Sequence, residues 1–190
     1  MFDPNLPVWF IPLSAGGRVL GDVYEELKSI GVNQKDIPLL IQWVENPKYD
    51  LPGLDIFHGA TDLRTHDLIH ILLGRGLLAK DEAFVIGFTM GSSNRVSSTE
   101  EWLYTLFSKH LYPDPYRFSD SDIQVFKDAV RLGYVSDCQP LAGVDYESLM
   151  SLTIADARER IGIEEPLLRA YYAIEKKRYP DIVESMRLLD

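Results

Sequence analysis

The chain has 190 residues, of which 46% are hydrophobic and 25% are charged, as in an ordinary globular protein of one domain. Its formal net charge of −10 argues against nucleic acid as a partner and against purely electrostatic docking on an anionic membrane, because both depend on Lys and Arg. The single cysteine, Cys138, excludes an internal disulfide, and the absence of a run of about 18 apolar residues predicts no membrane-spanning helix.

Residues 1–18 are predicted to form an extended arm, because three prolines in this stretch disfavour helix. The arm's aromatic residues Trp9 and Phe10 are expected to pack on the domain surface, with contact to a membrane as the alternative. The stretch is not rich in basic residues, which predicts neither a signal peptide nor a transit peptide. The expected location is therefore the cytoplasm or the inner face of a membrane.

Helical periodicity then dominates the chain, and strand alternation is not persuasive anywhere. Capping residues and glycines set the expected boundaries, with Ser119 as a cap and Gly133 as an end. The predicted helices span residues 21–30, 36–44, 61–73, 79–91, 98–110 and 119–133, a short stretch within 143–151, a segment starting at 153, and 164–178. The predicted fold class is all-α, a single helical bundle over residues 1–190.

Four side chains suited to metal binding or proton transfer lie in one apolar segment: His66, Asp67, His70 and Glu82. On a helix, His66 and His70 share a face and Asp67 lies at its edge, since residues three and four apart are neighbours. Two glycines then end the helix, and a second apolar helix follows. Because helices joined by a short loop run antiparallel, Glu82 is expected beside His70.

Two imidazoles and two carboxylates suit a borderline divalent ion, so we predict one such ion bound by these four side chains. Zinc is the first expectation, with iron, manganese and cobalt as alternatives. Magnesium is also compatible with the carboxylates, although two histidine ligands make it a less natural choice. His58, a little upstream, is interpreted as a loop histidine.

The spacing His-Asp-x-x-His-x11-Glu resembles the signature of the coenzyme Q biosynthesis protein 4 family, helical proteins of the ubiquinone pathway found with mitochondrial membranes. Gly74 matches a glycine that the family has after the second histidine. Residues 152–163 resemble the family's closing Leu-x-x-x-Arg-x-x-x-Gly-Ile segment. The chain departs from the family at Asp81, where a glycine usually precedes the glutamate; Asp81 is either a helix cap or a competing ligand.

The resemblance implies binding of a prenylated quinone precursor or another polyprenyl lipid. It also implies removal of the ring carboxyl and hydroxylation of the same carbon, together with peripheral membrane contact. The alternative is a non-catalytic organiser that holds the lipid within a complex of quinone-biosynthesis proteins. A third hypothesis, a phosphohydrolase of the HD superfamily, follows from the His66-Asp67 doublet, but the required upstream histidine is missing because His58 is too near. The oligomeric state stays open, a homodimer included.

Helix 79–91 is apolar nearly all round, which predicts either a buried core helix or the wall of a lipid tunnel. Gly87 and Gly91, four residues apart, would let a neighbouring helix approach closely. Four residues that share faces with the metal ligands are the expected start of a lipid channel: Leu73, Val85, Ile86 and Thr89.

Overall fold

The computed structural model describes residues 9–30, 63–93 and 118–189, and all regular structure in these ranges is helical. The helices are α1 Leu20–Ser29, α2 Leu63–Leu73, α3 Ala79–Ser92, α4 Asp120–Val135, α5 Ile154–Ile161, α6 Glu165–Arg178 and α7 Val183–Met186. Short 3₁₀ helices span Leu13–Gly17, Leu141–Gly143 and Tyr146–Leu149. The all-α prediction is confirmed, whereas the predicted helices 36–44 and 98–110, and His58, lie outside the described residues.

Residues 9–19, which we call the N-terminal segment, pack more deeply than the sequence predicted. Trp9, Ile11 and Leu13 are buried in the main hydrophobic core rather than lying on its surface. Residues 13–17 form a 3₁₀ helix, so the extended conformation predicted for them is wrong. The apolar side chains explain the difference, because burying each one contributes about 1.5–3 kcal/mol.

Two contacts attach this segment to the rest of the fold. An isolated antiparallel bridge pairs Val19 with Thr153, just before α5. The guanidinium of Arg158, buried in α5, donates to the carbonyl of Leu13 at 3.0 Å and to that of Leu72 at 2.7 Å. Arg158 therefore joins the N-terminal segment, the end of α2 and α5.

Helices α3 and α4 pack against each other at very short range. A Cβ on Gly87 would lie 3.0 Å from the Ala129 Cβ and even closer to the Phe126 carbonyl, so only glycine fits there. A Cβ on Gly91 would collide in the same way with the Val130 carbonyl, which confirms the predicted close approach. The sequence predicted that Gly133 ends α4, but the helix continues to Val135. Gly133 instead gives room to α3, because a Cβ there would collide with the backbone of that helix.

Helix α3 lies between two hydrophobic clusters. Its Phe84, Val85 and Phe88 belong to the main core, to which the N-terminal segment and the described helices α1, α2, α4, α5 and α6 contribute. Ala83 and Met90 belong to a second cluster, shared with Phe118 and α4. The prediction of a buried central helix is therefore confirmed for α3.

Helix α6 buries Leu168, Tyr171 and Tyr172, as its apolar pattern predicted. The apolar pattern of its sequence, Leu167, Leu168, Tyr171, Tyr172 and Ile174, also predicts a buried Ile174. Ile174 is exposed instead, while the neighbouring Glu175 is fully buried. The reason is a buried ion pair, described below. Within the three described ranges, no helix has both the length and the apolar character needed to cross a bilayer.

Candidate metal centre

The site lies on the antiparallel pair α2 and α3, whose connecting turn the sequence encodes locally. Gly74 ends α2 with a φ of +67°, a left-handed conformation that favours glycine. Asp81 caps α3, because its carboxylate accepts the backbone N–H of Leu78 at 3.3 Å. Of the two roles proposed for Asp81, the structure supports the helix cap.

Three of the predicted ligands converge where α2 faces α3. The Nε2 atoms of His66 and His70 are 3.2 Å apart. The two carboxylate oxygens of Glu82 each approach one imidazole, with Oε2 at 3.3 Å from His66 Nε2 and Oε1 at 3.3 Å from His70 Nε2. One ligand atom from each residue lies within 4.8 Å of the others, and we call these three residues the metal triad.

The hydrogen bonding of His70 explains why this cluster suits a cation. Its Nδ1–H donates to the Gly76 carbonyl at 2.6 Å, which leaves the lone pair of the neutral ring on Nε2. That lone pair faces both the Glu82 carboxylate and the second imidazole. Electron-pair donors this close repel one another unless a proton or a metal ion lies between them.

The spacing of the donor atoms fits a metal ion. A tetrahedral zinc ion with bonds of about 2.0–2.1 Å separates its ligand atoms by about 3.3 Å. The two histidine Nε2 atoms are 3.2 Å apart, and each lies 3.3 Å from a different oxygen of the Glu82 carboxylate. With one ligand atom from each residue, all three atoms lie within 4.8 Å of one another. A fixed tautomer, held by a hydrogen bond from the second ring nitrogen, is also the usual arrangement for a metal-binding histidine. The residues present therefore fit a divalent ion.

Burial differs across the metal triad. The His70 side chain is only 1% exposed, whereas those of His66 and Glu82 are 14% and 27% exposed. Three protein ligands with one accessible side are the pattern of a site that also binds a small molecule, since a structural zinc site has four protein ligands.

The two neighbouring carboxyl groups have opposite pKa shifts. Burial of Glu82 works to raise its pKa, but attraction to His70 and His66 outweighs this and holds the pKa below its ordinary value. Burial raises the pKa of Asp81, because attraction to Arg187 and Arg75 offsets only part of the cost of desolvation. Glu82 is therefore ionised when the imidazoles facing it carry positive charge, and a bound metal ion would supply that positive charge instead.

Asp67 was predicted as a fourth ligand, but it does not belong to the metal triad. It lies in the first turns of α2, where it is partly exposed. Consecutive residues of a helix point about 100° apart, so Asp67 lies at the edge of the face that His66 and His70 share and not at its centre.

No family model, curated protein or solved structure matches this chain in comparisons with known proteins. The resemblance to the coenzyme Q biosynthesis protein 4 family therefore rests on the sequence motifs alone.

The residues predicted to line a lipid channel do not all have the same surroundings. Leu73 and Val85 are fully buried in the main core. Thr89 is buried, and its hydroxyl donates to the Val85 carbonyl at 2.8 Å. Ile86 alone among them is partly exposed, and it packs against the second cluster.

Behind the metal triad lies a buried group of four charged residues that the sequence analysis missed. The Arg75 guanidinium binds the Glu175 carboxylate through two hydrogen bonds, of 3.1 and 2.6 Å, and lies 3.8 Å from Asp81. Arg187 donates to Asp81 from the other side. We call Arg75, Asp81, Glu175 and Arg187 the buried charge cluster; two cations and two anions balance in it.

Aromatic rings complete the surroundings of Arg75. The guanidinium lies between the rings of Phe84 and Tyr172, 3.9 and 4.3 Å from their centroids. Burial works to lower the pKa of Arg75, but Glu175 and Tyr172 raise it above the ordinary value, so the side chain stays charged. One sequence signal was available, because an arginine between two glycines in an apolar segment must find a partner once it is buried.

Proposed function

We propose that the chain binds one divalent metal ion through the metal triad and acts on the polar head of a prenylated aromatic acid. The observation that carries the proposal is the convergence of three donors within 4.8 Å on α2 and α3. Zinc is the first candidate, because two imidazoles and one carboxylate are a common zinc ligand set, and iron is the alternative. The reaction class that the sequence resemblance implies is removal of the ring carboxyl as carbon dioxide with hydroxylation of the same carbon. This oxidation would use dioxygen, and of the two candidate ions only iron can exchange electrons with it.

When bound, an ion of this kind polarises a carboxyl or phenolic oxygen of the substrate. His70 supplies a fixed donor, because its ring is held by Gly76 and shielded from solvent. His66 and Glu82 border the accessible side, from which a head group would approach. The ionised form of Glu82 also repels a second anion, so the head group is bound only when the site is loaded.

The exposure pattern of α3 supports an apolar substrate body. All residues of this helix are buried except Ala79, Glu82 and Ile86. These three lie on one face, since their spacings of four and seven residues follow the helical period. A ligand side chain is thus flanked by two apolar ones, which fits a substrate with an acidic head and a hydrocarbon tail.

The same surface also favours the second candidate function, a non-catalytic organiser that holds a polyprenyl lipid beside the metal ion. Both functions require metal and lipid, and they differ only in turnover. An HD-type phosphohydrolase is less favoured, because it needs a further histidine tens of residues upstream and His58 is too near.

Elemental analysis of the purified protein tests the metal site. We expect one equivalent of metal in the wild-type chain, none in the His66→Ala/His70→Ala double variant and little in Glu82→Gln. The matched control is Glu159→Gln, which changes an exposed glutamate on α5 and should keep the full equivalent. Stoichiometric metal in the double variant would contradict the proposal.

Lipid and turnover assays then separate the two functions. Ile86→Trp should reduce retention of a prenylated 4-hydroxybenzoate without changing metal content, and the control is Ile174→Trp at an exposed position on α6. Release of carbon dioxide from that acid in air, by protein loaded with zinc or ferrous iron, supports the enzyme. Tight lipid binding without turnover supports the organiser. The absence of both lipid binding and turnover would contradict both functions.

A further inference from the structure

The His70 ring is oriented by Gly76, which three parts of the chain surround. Its Nδ1–H donates to the carbonyl of Gly76, in the turn between α2 and α3. A Cβ on Gly76 would lie 2.7 Å from the Trp9 carbonyl oxygen and 2.9 Å from Asp81 Oδ2, and it would collide with the Arg187 guanidinium. The N-terminal segment, α3 and the C-terminal segment therefore meet at this residue.

Among the described residues after α7, Arg187 is the only charged residue whose side chain lies beside Gly76. It donates to Asp81, and its guanidinium lies 4.4 Å from the centroid of the Phe10 ring. The side chain is only 13% exposed, and Asp81 is fully buried. Removing one partner of such a pair costs more than breaking a surface ion pair, because it leaves a buried charge without its nearest counter-charge.

The contacts of Asp81 connect Arg187 to two ligands. Asp81 precedes Glu82 directly and caps the helix that carries it. Its carboxylate also lies beside Gly76, since a Cβ on that glycine would be 2.9 Å from Asp81 Oδ2, and the Gly76 carbonyl fixes His70. A change at Arg187 is thus transmitted both to the start of α3 and to the hydrogen bond of the His70 ring.

We propose that Arg187 is a positioning residue of the metal centre, acting through Asp81 and Gly76 on His70 and Glu82. The proposal rests on the metal site proposed above. Partners of this outer kind orient metal ligands, and their loss lowers metal affinity by about 10- to 100-fold. Arg187 would not touch the ion. It is far from Glu82 along the chain, so a local sequence motif does not include it.

The experiment measures zinc affinity by competition with a chromophoric chelator, together with the visible spectrum of the cobalt-loaded protein. We expect Arg187→Met to weaken zinc binding by about 10- to 100-fold and to alter the cobalt spectrum, which reports ligand geometry rather than stability. Arg187→Lys keeps the charge and should recover part of the affinity. The control Arg178→Met removes an arginine from a more exposed pair with Asp128 and should behave as wild type.

Because Arg187→Met removes one of the two cations beside the buried Asp81, a second variant avoids that penalty. Arg187→Met/Asp81→Asn removes both charges of the pair, leaves Arg75 bound to Glu175, and keeps an oxygen for the helix cap. Either folded variant with the zinc affinity and cobalt spectrum of Arg178→Met overturns the proposal. Loss of the fold in both also overturns it, since Arg187 would then serve the fold and not the metal. A wild-type chain that binds no zinc would instead overturn the proposed metal site itself.

Discussion

Asp81 and Glu82 are adjacent carboxylates on one helix, yet they belong to two different kinds of site. Asp81 points into the protein, where it is fully buried between Arg75 and Arg187. Glu82 points towards His66 and His70 and is partly exposed. Consecutive helical residues point about 100° apart, so one position along α3 is enough to separate the two environments.

The two carboxylates differ in what balances their charge. In the buried charge cluster each anion has a cation, so the group is neutral and needs no ligand. In the metal triad three electron-pair donors face one another, which favours a bound cation. Loss of the Arg75–Glu175 pair should therefore alter the free energy of unfolding of the metal-free protein, and changes to the metal triad should alter metal binding. Arg187 and Asp81 lie between the two groups and are expected to affect both.

The largest expected effect is at Glu175, whose loss leaves Arg75 buried without its main partner. We predict that Glu175→Gln lowers the free energy of unfolding of the metal-free protein by about 3–5 kcal/mol. Urea denaturation gives this value. The control Glu26→Gln breaks an exposed pair with Arg18 and should cost no more than about 1 kcal/mol. Equal losses in the two variants would show that the buried charge cluster is not a main source of stability.

Tyr172 should make stability fall at alkaline pH. Burial raises the pKa of its phenol from 10 to about 12, and the neutral hydroxyl donates to the Leu73 carbonyl. The neutral form is therefore favoured in the folded state. This stabilisation is complete below pH 10 and decreases as the pH rises from 10 to 12, by about 3 kcal/mol in all.

Urea denaturation at pH 9 and pH 11 measures that decrease. Tyr172→Phe should lose less stability than wild type between these values, because phenylalanine has no proton to release. The exposed Tyr134 supplies the control, since Tyr134→Phe should retain the wild-type pH dependence. A Tyr172→Phe protein with an unchanged decrease would contradict the assigned role.

The metal triad should contribute stability only when it is loaded. Zinc at 100 times its dissociation constant should stabilise the wild-type chain by about 2.7 kcal/mol, because a ligand of the folded state adds its binding free energy. Without zinc, the Glu82→Gln protein should have the same stability as wild type. With zinc, its stability should increase much less than that of wild type. Thermal denaturation with and without zinc makes the comparison, and an equal gain in both proteins would exclude Glu82 as a ligand.

The smallest effect is expected at Asp67. Because Asp67 lies outside the metal triad, Asp67→Asn should change zinc affinity by less than the tenfold typical of disturbed metal sites. Chelator competition measures it. A loss as large as that of Glu82→Gln would restore the four-ligand site predicted from the sequence.

The metal triad was predictable because its geometry is local. A four-residue spacing places two histidines on one face, and a short turn returns Glu82 to them. Spacing alone also suggested Asp67, which lies outside the cluster of three, because spacing along a helix does not give the direction of each side chain.

The buried charge cluster was not predictable in this way. Arg75 and Glu175 are 100 residues apart, and no periodic pattern links them. The apolar pattern of α6 favoured Ile174 as the buried residue, but pairing with Arg75 draws Glu175 inward instead. Tertiary contacts of this kind override local hydrophobic patterns.

X-ray absorption spectroscopy of the zinc-loaded protein tests the central claim most directly. We predict one zinc ion per chain with two imidazole ligands and oxygen ligands at about 2.0–2.1 Å, and loss of one imidazole signal in His66→Ala. A zinc ion with fewer than two imidazoles in the wild-type chain, or a chain that binds no zinc from a stoichiometric solution, would contradict it.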